Sequence, residues 1–283
     1  MTPAEPRPLG LAPLSALTVP PDRLVRLAAD AGFDFVGLRV LAVTADEPSH
    51  DLSPGSPLLT DTLTALSDTG LAVVDAEFLR IDADTGPDTW MPALETAQAL
   101  GATRFTVAAG DDDLSRLTDT LGRLVQDAAG FDVVPALEPI SYRSVCSLPV
   151  AAEIARATGA RVLPDTLHLA RFHATTAELT ELAGVAGLVD MVQLCDSPRQ
   201  PPTTTEGLVE ESRSRRLAPG DGEQDLAGYL RALPPDLPVS VEVPNDALLA
   251  HHGDAAWIRH LHDTARRVLD TSTVPTSPGD HTP

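Results

Sequence analysis

Short runs rich in β-branched and apolar residues alternate with amphipathic, alanine- and leucine-rich stretches about every 25–30 residues along this chain. No other feature limits its fold so strongly. The runs are RPLGLAPL (7–14), FDFVGLRV (33–40), LAVVDAEFL (71–79), TRFTVAA (103–109), FDVVPALEP (131–139), RVLPDT (161–166), VDMVQLCD (189–196) and PVSVEVP (238–244). Five of the intervening stretches close on glycine, in ADAG, SDTG, QALG, DAAG and RATG, and a run follows each within a few residues. Glycine tolerates the left-handed position just past a helix, so this is helix punctuation. The runs are nearly continuous in apolar character, as expected of parallel strands covered on both faces. Eight such strand–helix units predict an α/β fold of the (β/α)8 TIM-barrel type. A doubly wound open sheet is the competing architecture, but no G-x-G-x-x-G follows the first strand.

The 43% hydrophobic content suffices for one large core. The expected organisation is a single barrel over residues 1–270, with a long polar loop at 197–222 and a flexible tail at 271–283. No apolar run approaches the roughly 18–20 residues of a membrane span. The start, MTPAEPRPLG, lacks the layout of a secretory signal. Two cysteines give no disulfide framework, and both Cys146 and Cys195 read as small core residues of a cytoplasmic protein. The net charge of −21 opposes binding to nucleic acid; a small-molecule substrate is the expected partner, and a homo-oligomer stays open. All 20 basic residues are arginine. Without lysine there is no Schiff-base chemistry and no P-loop.

Barrel active sites form at the carboxyl ends of strands. Run five ends in Glu138, run six in Asp165, run seven in Gln193 with Asp196 beyond, and run eight in Glu242. Three carboxylates packed together would repel, and a divalent cation removes the conflict. Oxygen ligands suit Mg²⁺ or Mn²⁺, with Co²⁺ behind them. His168 follows Asp165 by three residues and should face the mouth as a substrate contact or proton carrier. Arg216, where the long insert returns, could fork onto substrate oxygens. Glu77 and Arg80 could line the pocket, Asp196 could orient a ligand, and His251, His252, His260 and His262 read as surface residues.

The ordered set LEP, PDTLHLAR, VQLCDSP, RRLAPGDGE and VSVEVP resembles the xylose-isomerase-like TIM-barrel superfamily, and more closely its sugar phosphate isomerase/epimerase group, over roughly residues 8–270. The resemblance implies metal ligands at Glu138, Asp165 and Glu242, with Gln193 standing where the family has histidine. It implies substrate contacts at His168 and Arg216, and proton shuttling by Glu138 and Glu242. The implied activity is isomerisation or epimerisation of a keto-sugar or keto-polyol through a metal-bound enediolate. Glutamine at this position also resembles the bacterial 3-dehydroshikimate dehydratases, so dehydration is the close alternative. A three-zinc nuclease of the endonuclease-IV type would need more histidines and a basic groove, and a non-catalytic binding barrel is the remaining alternative.

Overall fold

The structure, a computed structural model, describes residues 6–44 and 47–272. Eight strands, all paired in parallel, carry the fold: β1 (Leu9–Leu11), β2 (Phe35–Arg39), β3 (Ala72–Ile81), β4 (Arg104–Ala109), β5 (Val134–Glu138), β6 (Arg161–Val162), β7 (Val192–Leu194) and β8 (Val239–Val241). Their order in the sheet is β6-β5-β4-β3-β2-β1-β8-β7. The two edges meet through a bridge between Asp165 and Gln193, where the Gln193 amide donates to the Pro164 carbonyl at 2.9 Å. The expected (β/α)8 barrel is thus formed, and its last seam is sewn by two of the candidate site residues. Pro164 has no N–H to donate, which helps explain why β6 is only two residues long.

Each of the first five strands is followed by one helix: α1 (Pro21–Ala31), α2 (Pro57–Thr69), α3 (Pro87–Leu100), α4 (Leu114–Ala128) and α5 (Leu148–Thr158). The last three are followed by pairs: α6 (Thr166–Arg171) with α7 (Thr176–Ala183), α8 (Thr205–Ser214) with α9 (Leu226–Arg231), and α10 (Asp246–His252) with α11 (Asp254–Ser272). Four of the five glycine stops are left-handed caps, at Gly32, Gly70, Gly101 and Gly159. The exception is Gly130. There α4 runs into a short 3₁₀ turn, and Asp132 takes the left-handed position at φ 57°, which Asp tolerates better than most residues.

The polar insert at 197–222 is not a structureless loop. It contains α8, capped by the Thr204 hydroxyl accepting from the Gly207 amide at 3.1 Å. Its inner face is clamped by Arg171, whose Nε and Nη2 reach the Glu211 carboxylate at 2.7 and 2.5 Å. Thr271 and Ser272 complete α11, and the rest of the expected tail lies outside the described residues. No helix among the described residues is long and apolar enough to cross a membrane.

Two apolar layers build the molecule. A large one fills the space between the sheet and its helices, with Trp90 and Trp257 fully buried. A small one plugs the barrel lumen: Phe35, Ala136, Leu163 and Met191. Gly10 makes room for the plug, since a Cβ there would lie 2.0 Å from the Phe35 ring.

Candidate functional site

The lumen plug determines what stands above it. Successive inward residues on a strand are two apart. Two residues beyond Ala136 is Glu138; beyond Leu163, Asp165; beyond Met191, Gln193. Glu242 takes the same step from Ser240 on β8. All four are at most 4% exposed. The layer over the apolar plug is therefore polar, and ligand atoms of Glu138, Asp165 and Glu242 lie within 4.8 Å of one another.

Asp165 owes its burial to two local devices and one distant one. Its Oδ1 accepts the Leu167 and His168 amides at 2.7 and 3.3 Å, capping α6. Its Oδ2 pairs with Arg216 Nη1 at 2.5 Å. Arg216 is itself 1% exposed, and its Nη2 reaches Glu242 Oε2 at 3.0 Å. The fork expected to hold substrate oxygens is thus turned onto two of the three carboxylates. Burial alone would raise the Asp165 pKa, but the guanidinium outweighs it and holds the group below the usual carboxylate range. Burial pushes Glu242 up to about 7, with Arg216 pulling the other way. Glu138 is not paired with the guanidinium, and Arg216 pulls it down less than its surroundings push it up. Burial, then Glu242 and Asp165, drive it well above the usual range.

The residues fit a divalent cation. Gln193 Nε2 donates to Glu242 Oε1 at 3.0 Å, which fixes the amide's orientation. Its Oε1 is left buried with no partner among the described residues. A buried orphan acceptor beside a carboxylate cluster is costly unless a cation meets it. Fully ionised, the three carboxylates against one guanidinium would leave two negative charges, which one divalent ion would neutralise with Arg216 still in place. Glu138, Asp165, Gln193 and Glu242 would hold it, all through oxygen, a donor set suited to Mg²⁺ or Mn²⁺.

His168 is the third residue of α6, so the spacing from the Asp165 cap carries it over the mouth. Its Nδ1 accepts the Ser141 amide at 3.4 Å, which leaves the ring proton on Nε2, 3.6 Å from Glu138 Oε1. Burial lowers its pKa to about 4, so the ring is neutral. His168, Glu138, Glu242 and Arg216 line a cavity of about 330 Å³ at the barrel mouth.

Other expected residues fall elsewhere. Arg80 lines the cavity, paired with Asp82, but Glu77 is buried beside Arg39. Asp196 orients no candidate ligand. It accepts the Ser197, Gly220 and Gln224 amides and so braces the loop that carries Arg216. His251 and His252 are exposed; His262 packs edge-on against Phe33. Cys195 is buried as expected, but Cys146 is exposed. Sequence reasoning missed Arg39, which follows Phe35 and Gly37 at the inward spacing and lines the cavity; the period of two in FDFVGLRV was the available signal. It also missed Phe78, which sits on β3 where the register shifts between Glu77 and Leu79, and Tyr142 and Arg143, which lie on a loop that carries no period.

Comparison with known proteins places this architecture. Residues 25–267 match the family model described as xylose isomerase-like TIM barrel. No curated protein matches the chain. Among solved structures, a xylose isomerase-like TIM barrel/4-hydroxyphenylpyruvate dioxygenase fusion protein is 22% identical (TM-score 0.71), covering 97% of this chain. This chain spans only 46% of that protein. The IolI protein with a bound zinc atom is 17% identical with a TM-score of 0.73, covering 93% of this chain and 98% of its own. D-allulose 3-epimerase from Methylomonas sp. is 15% identical with a TM-score of 0.65, covering 96% and 100%. At these identities the likeness is one of fold.

Proposed function

This chain belongs to the xylose isomerase-like TIM barrel family, and we propose that it is a divalent-metal-dependent enzyme that moves a proton next to a carbonyl of a small hydroxylated substrate. The observation that carries this reading is the buried cluster of Glu138, Asp165 and Glu242 beside the orphan Oε1 of Gln193. When bound, the ion supplies Lewis-acid polarisation of the substrate carbonyl. Mn²⁺ or Mg²⁺ is the proposed occupant, with Co²⁺ behind them.

The chain's own residues would do the rest. Glu138 and Glu242 are the proton carriers: both are buried carboxylates whose proton affinity is raised by burial and by their acidic neighbours, Glu242 to about 7, as suits a general base. One removes the proton α to the carbonyl, and the other returns it on the opposite face. Neutral His168 offers its Nε2 proton to a substrate oxygen or to Glu138. Arg216 holds Asp165 and Glu242 in place and keeps a fixed positive charge beside the developing anion. Isomerisation or epimerisation of a keto-sugar or keto-polyol is the reading favoured. D-allulose 3-epimerase, a neighbour in fold, is consistent with it.

A second reading shares the first half of this chemistry. If a β-hydroxyl leaves from the same anion, the outcome is dehydration. Gln193, in place of the histidine of the resembled epimerases, favours it. Incubation with ketohexoses, keto-inositols and 3-dehydroshikimate plus Mn²⁺ in D₂O, followed by NMR, tests both. Deuterium at the α-carbon with the hydroxyls retained supports epimerisation; loss of water supports dehydration. The Glu242→Gln variant should take up Mn²⁺ yet lose exchange. Full exchange in that variant would remove Glu242 from proton transfer.

A further inference from the structure

Resting on that reading of the site, we propose that the substrate carries a carboxylate away from its reacting carbon, received by Arg39 with Arg143 and Arg213 at the barrel mouth. The chain has 41 acidic residues against 20 basic ones. Yet the one cavity over the carboxylate cluster is lined by Arg39, Arg80, Arg143, Arg213 and Arg216. Arg216 is spent on Asp165 and Glu242, and Arg80 on Asp82. Arg143 and Arg213 make no ion pair among the described residues; Arg143 rests only over the Tyr142 ring, 5.6 Å from its centroid.

Arg39 is the decisive member. Its side chain is 7% exposed, and its Nη1 has no hydrogen-bond partner among the described residues. Its Nε lies 3.1 Å from Glu47 Oε1 and its Nη2 3.9 Å from Glu77 Oε2, so neither end is gripped by a good fork. A buried guanidinium with a free edge is an expensive arrangement unless a ligand completes it. It enters from β2, whereas the carboxylate cluster comes from the ends of β5, β6 and β8. A ligand spanning the mouth would thus have its reacting end at the cluster and its anionic end at Arg39. Glu47 and Asp246 are the acids on this cavity outside the cluster, and Glu47 already faces Arg39.

A carboxylate fits better than a phosphate. No glycine lines the cavity, so the backbone N–H cradle that phosphates commonly use is missing. Leu14, Leu17, Val43, Phe78 and Ile140 supply an apolar wall. That wall suits the methylenes of a ring acid better than a chain hydroxylated throughout.

Calorimetric titration of the Mn²⁺-loaded protein tests this with three probes: 3-dehydroshikimate as the cyclic keto acid, D-fructose as the neutral ketose, and D-fructose 6-phosphate. The acid should bind at least about tenfold tighter than either sugar, as expected for one charge-assisted contact. Arg39→Met should erase that advantage, and Arg143→Ala and Arg213→Ala, at the half-buried rim, should each weaken the acid about threefold or more while leaving D-fructose unchanged. Equal affinity for D-fructose, tighter binding of the phosphate, or rim variants that leave the acid unaffected would overturn the proposal. α-Deuterium exchange separates the two levels. Arginine-dependent binding of the acid without exchange would refute the proton-transfer reading alone, and exchange in an acid whose affinity is indifferent to the arginines would refute the carboxylate subsite alone.

Discussion

Asp165 is at once a helix cap, an ion-pair partner and a candidate ligand, and the first two roles are what let a carboxylate sit fully buried. Its dependence on Arg216 gives a sharp expectation. Removing one partner of a buried ion pair leaves an uncompensated charge, which costs roughly 3–5 kcal/mol. Arg216→Met should therefore lower unfolding stability in urea by about that amount in metal-free protein. Saturating Mn²⁺ should recover part of the loss, because the ion supplies the missing positive charge. A variant as stable as the parent would show that Asp165 and Glu242 do not need the guanidinium. Gln193 carries a second expectation at this scale. Gln193→His places a nitrogen donor in an otherwise oxygen site, and metal preference measured by competition should shift from Mn²⁺ toward Zn²⁺. An unchanged preference would mean that Gln193 does not ligate.

At the scale of elements, the loop that returns from α8 to the barrel is held by backbone contacts that leave no space for a side chain. Gly222 passes so close to Asp196 that a Cβ would lie 2.4 Å from its Oδ1. The P-G-x-G turn after Arg216 is thus a packing requirement: Asp196 gathers the amides of Ser197, Gly220 and Gln224, and Leu217 pairs with Asp196 across an antiparallel bridge. Gly222→Ala should force the loop outward and cost about 1–3 kcal/mol, as other overpacked positions do. Because Arg216 rides on this loop, the same variant should weaken Mn²⁺ binding; intact binding would uncouple the loop from the site. The strand-end residues Glu138, Gln193 and Glu242 were legible because a period of two points every second residue inward. The helix inside 197–222 was not, because its sequence is polar on most sides and its buried face is held by polar contacts to distant residues, Glu211 to Arg171 and Ser212 to Tyr142.

For the whole molecule, the balance of charge in the barrel mouth sets a pH dependence. Glu242 titrates near 7, and Glu138 is also raised. Both must be ionised to ligate, so protons compete with the metal and must leave as it binds. Apparent Mn²⁺ affinity should rise as pH increases from about 5 through 7, with proton release seen by calorimetry in buffers of different ionisation enthalpy. A flat profile across this range would mean that the carboxylates are already ionised without the ion.

Local patterns in the chain were enough to specify eight strand–helix units, most helix stops and the polar residue at the end of each site strand, because alternation and capping are decided within a few neighbouring residues. Only the tertiary structure decided that Arg216 serves Asp165 and Glu242, that β6 and β7 meet through Asp165 and Gln193, and that Arg39 faces the same cavity. Arg216 and Asp165 are 51 residues apart. No local rule selects such a pair; the closing of the barrel brings them together, and the cost of burying an unpaired charge then holds them there.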